Sequence, residues 1–256
     1  MQIEFKGKVA LVTGAAGAIG KSIAKELKES GANVFITDLN VKGVETAVKE
    51  IGCKGLAANV CVETEVKSVV DAAIKAYGTV DILVNVAGII GTSPVESITE
   101  EVWDQMFAVN CKGTFFFTKY VVPILKEKKK GKIINFSSKS GKTGSALMSH
   151  YCAAKGAIIS FTQALAYELA PYQINVNCLC PGITDNTGVW NTCSEGYIKD
   201  MNLPKDEVVK KFTAKIPFGR LASVKDVTAV VTFLASEGAD YMTGQAINVT
   251  GGREMH

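Results

Sequence analysis

Tyr151 and Lys155 stand four residues apart in SHYCAAKGAI (149–158), a stretch otherwise made mostly of small and apolar residues. Of the seven tyrosines in the chain, only Tyr151 has a lysine four positions on. A free phenol titrates near pH 10 and is a poor base at neutrality. A lysine one helical turn along shares its face, and the positive charge favours the phenolate. Such a pair can carry a proton to and from a hydroxyl group. The same spacing also suits a core tyrosine with a lysine snorkelling beside it, so the setting must decide. His150 is adjacent, but helix neighbours point about 100° apart, which makes it a structural or rim residue.

The second group able to do chemistry is TGAAGAIG (13–20). It follows an apolar run, KVALVTG (8–14), and opens a helical one. Gly14 permits a tight turn, Gly17 and Ala18 keep the backbone accessible, and Gly20 lets helix and strand approach. Free N–H groups at that helix start would face a diphosphate. Asp38 ends the next strand, 18 residues after Gly20, where an acid can bind a ribose 2′-hydroxyl. It would repel a 2′-phosphate, and LNVKG after it offers no arginine, so NAD is expected over NADP.

These residues need a frame, and the chain supplies an alternating one. Strands are predicted at 8–14, 33–38, 55–60, 80–88, 132–138, 174–182 and 245–252. Helices are predicted at 21–30, 42–51, 63–77, 99–125, 151–169 and 224–236. Buried Val- and Ile-rich runs separated by helices make a parallel sheet covered on both faces. The expectation is an α/β, Rossmann-type doubly wound fold in one domain spanning 1–256. Only the stretch at about 185–215 breaks the rhythm. It carries Trp190, Tyr197, Met201 and a short helix opened by Pro204, and its length predicts a substrate lid.

With the glycine loop, NVAG (85–88), YCAAK (151–155) and Pro181-Gly182 in this order, the chain resembles the short-chain dehydrogenase/reductase family over essentially its whole length. The resemblance implies a catalytic set of Asn110, Ser138 (thirteen residues before the tyrosine), Tyr151 and Lys155. Tyr151 would exchange the proton of a secondary alcohol as the coenzyme exchanges hydride, and Ser138 would hold the substrate oxygen. Lys155 would also hold the nicotinamide ribose, and Asn110 would anchor a water leading protons to solvent. Implied coenzyme contacts are Gly14, Gly17, Ala18, Ile19, Gly20, Asp38, Leu39, Asn59, Val60, Asn85, Ala87, Gly88, Tyr151, Lys155, Pro181, Gly182, Ile183 and Thr184. Val86, Asn59 and Asn186 depart from the family's usual second asparagine, aspartate and threonine. The family also implies a homotetramer, with apolar residues of the helices at 99–125 and 151–169 (Phe115, Phe116, Phe117, Ile158, Phe161, Leu165) against a partner.

Composition narrows the alternatives. Lys+Arg 28 against Asp+Glu 25 gives +3, too even to mark a nucleic-acid or membrane partner. Seven cysteines without a CxxC spacing and only two histidines speak against a zinc site, and an odd thiol count fits a reducing, cytoplasmic setting. Cys178 and Cys180 share one strand face as small apolar groups. The run 126–132 reads as a solvated helix end. SKSGK (138–142) with INVTGG (247–252) resembles the sorbitol 6-phosphate 2-dehydrogenase branch, which predicts substrate contacts from Lys139, Lys142 and Trp190. SPVESIT (93–99) and DYMTGQ (240–245) resemble acetoin and 2,3-butanediol reductases. The predicted activity is an NAD-dependent oxidoreductase of carbohydrate metabolism acting on a sugar alcohol or its phosphate. The alternative is a small-carbonyl reductase, and a non-enzymatic coenzyme-binding module would need a broken catalytic set.

Overall fold

The computed structural model describes residues 3–188, 190, 198 and 203–256, and Tyr197 and Met201 lie outside them. Its strands are β1 (Val9–Thr13), β2 (Asn33–Thr37), β3 (Lys54–Gly55), β4 (Ile82–Asn85), β5 (Gly131–Phe136), β6 (Ile174–Pro181) and β7 (Ala246–Val249). They form one sheet in the order β3-β2-β1-β4-β5-β6-β7, parallel at every pairing. Between them run α1 (Ala18–Glu29), α2 (Val41–Ile51), α3 (Glu63–Tyr77), α4 (Glu100–Phe107), α5 (Gly113–Lys128), α6 (Ser140–Thr143), α7 (Ser149–Leu169), α8 (Lys205–Thr213) and α9 (Val224–Ala235).

Strand alternation sends side chains to two cores. Ala10, Val12, Val34 and Ile36 pack with Ile23 and Leu27 of α1, Val44 of α2 and Val231 of α9. Leu11, Leu83, Ile133 and Val176 face the other way, onto Val69 of α3, Phe117 and Val121 of α5, and Leu169 of α7. Each fully buried side chain of this size contributes roughly 1.5–3 kcal/mol. The strand order reverses between β1 and β4, and a crevice at the carboxyl ends of such neighbours is where this architecture binds ligands. Thr13 and Asn85 end those two strands.

Three elements differ from expectation. The strand expected over 55–60 pairs as a ladder only at Lys54 and Gly55. As an edge it then loosens, though the N–H groups of Leu56 and Ala58 still donate to the carbonyls of Ile36 and Asp38 at 3.1 and 2.9 Å. The helix expected over 99–125 is α4, a π-helical turn at Ala108–Lys112, and α5 continuing to Lys128 with Pro123 inside. The first helix starts at Ala18, three residues before the predicted 21, because the glycine loop itself supplies its first turn.

Candidate active site

Gly17 caps α1 with no side-chain oxygen, and no acidic residue occupies the first turn. The first-turn N–H groups of α1 therefore lack a capping side chain, and an anion suits them. Gly14 has a φ of +65°, and a Cβ on Gly20 would sit 2.3 Å from its carbonyl oxygen, so neither position tolerates a side chain without the loop moving. Across the switch point, the Thr13 hydroxyl accepts the N–H groups of Val86 and Ala87, each at 3.0 Å. That ties the glycine loop to the turn after β4. Asp38 accepts from the N–H of Ala16 at 3.0 Å and from that of Asn40 at 3.0 Å, which fixes its carboxylate beside the loop. Asn59 accepts the Cys61 N–H at 2.9 Å, so its side-chain NH₂ is what remains to offer. Leu39 is exposed and Val60 buried. This donor set, a cradle of free N–H groups with an acid beside it, fits a dinucleotide.

The π-helical turn presents Asn110, which is 1% exposed. Its side-chain NH₂ donates to the carbonyls of Ile89 and Met106, both at 3.0 Å. Its Oδ1 is buried without a hydrogen-bond partner and points at Gly88. A methyl on Gly88 would lie 2.7 Å from that oxygen and 3.2 Å from Lys155 Nζ. The two groups therefore converge on one point beside the turn after β4. Lys155 donates to the carbonyl of Phe136 at 2.9 Å, and its Nζ stands 5.8 Å from the centre of the Tyr151 ring. Burial pushes the Lys155 ammonium down to about 8, with Cys111, Cys178 and Cys180 opposing the shift. Tyr151 is 7% exposed, packed among Met106, Met148 and Ala154 with Ile89 and Ile90 at the edge. Ser138 Oγ accepts the N–H of Ser140 at 3.2 Å. His150 is buried, its Nδ1 has no partner among the described residues, and desolvation lowers its pKa.

After β6 the chain crosses Pro181 and Gly182, and Ile183 and Asp185 pair with Ala222 through backbone bonds. Thr184 is buried there, its hydroxyl on the Gly182 carbonyl. The structure takes Lys139, Lys142 and Trp190 elsewhere. Lys139 Nζ lies 3.7 Å from Glu254 Oε1, and Lys142 donates to the Ala246 carbonyl at 2.6 Å. Trp190 is buried with Ile216 and Leu221 and meets Phe212 edge-on at 6.0 Å. The lysines thus serve the C-terminal segment. Among the described residues no cluster of His, Cys, Asp or Glu could hold a metal, and no helix is long and apolar enough to cross a membrane. Cys178 and Cys180 are fully buried with Ile158. Thr13 and Ser137 carry site contacts that motif reading does not single out. For Ser137 the available signal is strand alternation, which sets it on the same side of β5 as Asn135.

A family model described as enoyl-(acyl carrier protein) reductase matches residues 14–254. The chain belongs to the short-chain dehydrogenase/reductase family. Sorbitol dehydrogenase of Cereibacter sphaeroides is 36% identical, over 99% of this chain and 100% of its own. Galactitol 2-dehydrogenase of Agrobacterium fabrum is 37% identical over the same shares. Diacetyl reductase, (S)-acetoin forming, of Staphylococcus epidermidis is 36% identical over 96% and 98%. Among solved structures, an actinorhodin polyketide ketoreductase variant with NADPH superposes with a TM-score of 0.94 at 34% identity, covering 97% of this chain and 98% of that one. As a short-chain dehydrogenase/reductase the protein is an oxidoreductase acting on CH–OH groups.

Proposed function

We propose that the protein oxidises a secondary alcohol of a polyol to the ketone, and reduces it in reverse, with NAD as coenzyme. The observation that carries this reading is the convergence of Asn110 Oδ1 and Lys155 Nζ at Gly88, one helical turn from Tyr151. When bound, the nicotinamide coenzyme supplies the hydride acceptor. Tyr151 takes the alcohol proton, and the Lys155 ammonium one turn on stabilises the resulting phenolate. Ser138 Oγ, held by the Ser140 N–H, donates to the substrate oxygen as charge develops on it. Asn110 Oδ1, a buried acceptor with no protein partner, suits a water that links Lys155 to solvent. The first turn of α1 would take the diphosphate, and Asp38 the adenosine ribose. The stretch at about 185–215 would close over the substrate.

Both lysines of the SKSGK run are engaged by the C-terminal segment, so the favoured substrate is an unphosphorylated polyol, the kind of molecule that the sorbitol and galactitol relatives are named for. The apolar surroundings of Tyr151 favour a second reading, reduction of a small diketone or acetoin. A panel of polyols, polyol phosphates, vicinal diols and acetoin, scored by NADH formation or loss, separates the two. Polyol oxidation at least tenfold more efficient than turnover of the small substrates is expected. Turnover of acetoin alone would overturn the polyol reading. NAD should exceed NADP by at least tenfold in kcat/KM, and Asp38→Ala should narrow that gap by relieving repulsion of the 2′-phosphate. Equal use of both coenzymes by the wild type would remove the role given to Asp38.

We further propose a homotetramer, the assembly implied by the family, with α5 and α7 at an interface.

A further inference from the structure

Lys155 is held at both ends by the segment that leads into Ser138. Its ammonium donates to the carbonyl of Phe136 at 2.9 Å, and its own carbonyl accepts the hydroxyl of Ser137 at 2.7 Å. A helical carbonyl has a second lone pair available beside its backbone partner, so this bond adds to α7 without breaking it. Both residues are buried, Ser137 at 4% and Lys155 at 5% exposure, where a hydroxyl without a partner is costly. A third contact closes the arrangement. Gly141 in α6 packs so tightly on α7 that a Cβ there would meet the Lys155 carbonyl carbon at 2.7 Å, the Gly156 nitrogen at 2.9 Å and Ser137 Oγ at 2.8 Å. Ser138 lies between these grips, its Oγ bound to the N–H of Ser140.

We infer that Ser137 is a positioning residue for the reaction: with Gly141 it clasps the end of β5 and the start of α6 to the turn of α7 that carries Lys155. The clasp fixes the separation between the Ser138 hydroxyl and the Tyr151–Lys155 pair, which reside on different elements. Tyr151, one turn before Lys155, is carried by the same helix, so registry between serine and phenol passes through this one seam. Misplacement at such a seam costs rate because the reacting groups lose their alignment. The inference rests on the assignment of Ser138, Tyr151 and Lys155 given above.

The test compares the wild type with Ser137→Ala, Gly141→Ala and the double variant, using the best substrate from the panel. Ser137→Ala removes one oxygen and should fold. It is expected to lower kcat about tenfold with substrate KM changed less than about threefold, and to move the rise of kcat with pH upward, because the phenol feels a less well placed ammonium. Gly141→Ala should show the same signature, and the double variant should lose no more than the worse single one, since both break one contact. In the coenzyme-free protein, amide hydrogen exchange should speed up at residues 155–159 in Ser137→Ala and stay unchanged at the distal end of α7. A Ser137→Ala enzyme with wild-type kcat and pH profile would overturn the inference while leaving the catalytic assignment standing. Additive losses in the double variant would overturn it as well. A wild type that turns over no alcohol or ketone would instead defeat the functional reading beneath it.

Discussion

Tyr151 and Lys155 divide one task, since the phenol moves the proton and the ammonium makes its loss affordable near neutrality. Tyr151→Phe keeps the ring in its apolar nest and removes the proton carrier. Turnover should fall by roughly 10²–10⁴, while NADH binding, followed by its fluorescence, stays close to wild type. Near wild-type turnover would end the mechanism. Lys155 makes a separate prediction about stability. Burial holds its pKa at about 8, below the ordinary 10.5, so below pH 8 folding must bury a charge. Between about 8 and 10.5 the unfolded chain keeps the proton and the folded one does not, and stability gains with rising pH. Lys155→Met should therefore make the coenzyme-free protein more stable at pH 7, by up to about 3 kcal/mol. That advantage should shrink toward pH 10.5. Urea titrations at pH 7 and 10 read both; a variant less stable at pH 7, with a deficit unchanged at pH 10, would contradict this. At this scale the pair was legible because spacing on a helix is itself chemistry. Asn110 was visible only through resemblance, because nothing in VNCKG (109–113) marks a π-helical turn. The turns of Lys139 and Lys142 toward the C-terminal segment depend on residues more than a hundred positions away.

Helix and strand ends were the least legible features, and the reasons are local. α1 begins inside the glycine loop, where no capping side chain announces a start, and β3 is a sheet edge too short to show alternation. α9 is the opposite case. Ser223 caps it, accepting the Asp226 N–H, while Asp226 accepts the Ser223 N–H in return. Arg220 grips the same carboxylate at 2.6 and 3.0 Å and, with the Ser223 backbone bond, holds its pKa well below the usual carboxylate range. A depressed carboxylate stabilises above its unfolded pKa and loses that contribution as pH falls toward the folded value. Asp226 is partly exposed, so the discounted effect is small. Asp226→Asn should cost about 1 kcal/mol at pH 7, with the gap closing below about pH 4. The matter is more than stability, since the Thr228 hydroxyl of α9 bonds Ser22 of α1 at 3.0 Å, on the helix that opens from the glycine loop. A denaturation midpoint equal to wild type at pH 7 would show that the cap contributes nothing.

At the scale of the whole molecule, the parallel sheet with helices on both faces was legible from the alternation of strand and helix runs. Which apolar residues those faces consume was not. Phe117 and Ile158, both expected at a partner, are 1% exposed and belong to this chain's own cores. A helix against a sheet buries only one stripe, and that stripe cannot be phased along α5 without the π-helical turn that precedes it. What remains outside is specific. Phe115 is 45% exposed and tilts against Phe116 at 5.6 Å. Trp103 is 41% exposed and stacks on Phe107 at 5.2 Å. Aromatic surface left on neighbouring helices, beside half-buried Phe161 and Leu165 of α7, is what a subunit contact would cover. Light scattering at micromolar concentration should then give about four times the 27.2 kDa chain mass. Phe115→Glu would bury a carboxylate in that contact and should shift the mass toward dimer or monomer, with the far-ultraviolet dichroism of the sheet and helices unchanged. A wild-type protein that scatters as a monomer would leave these aromatics as exposed surface and dismiss the tetramer.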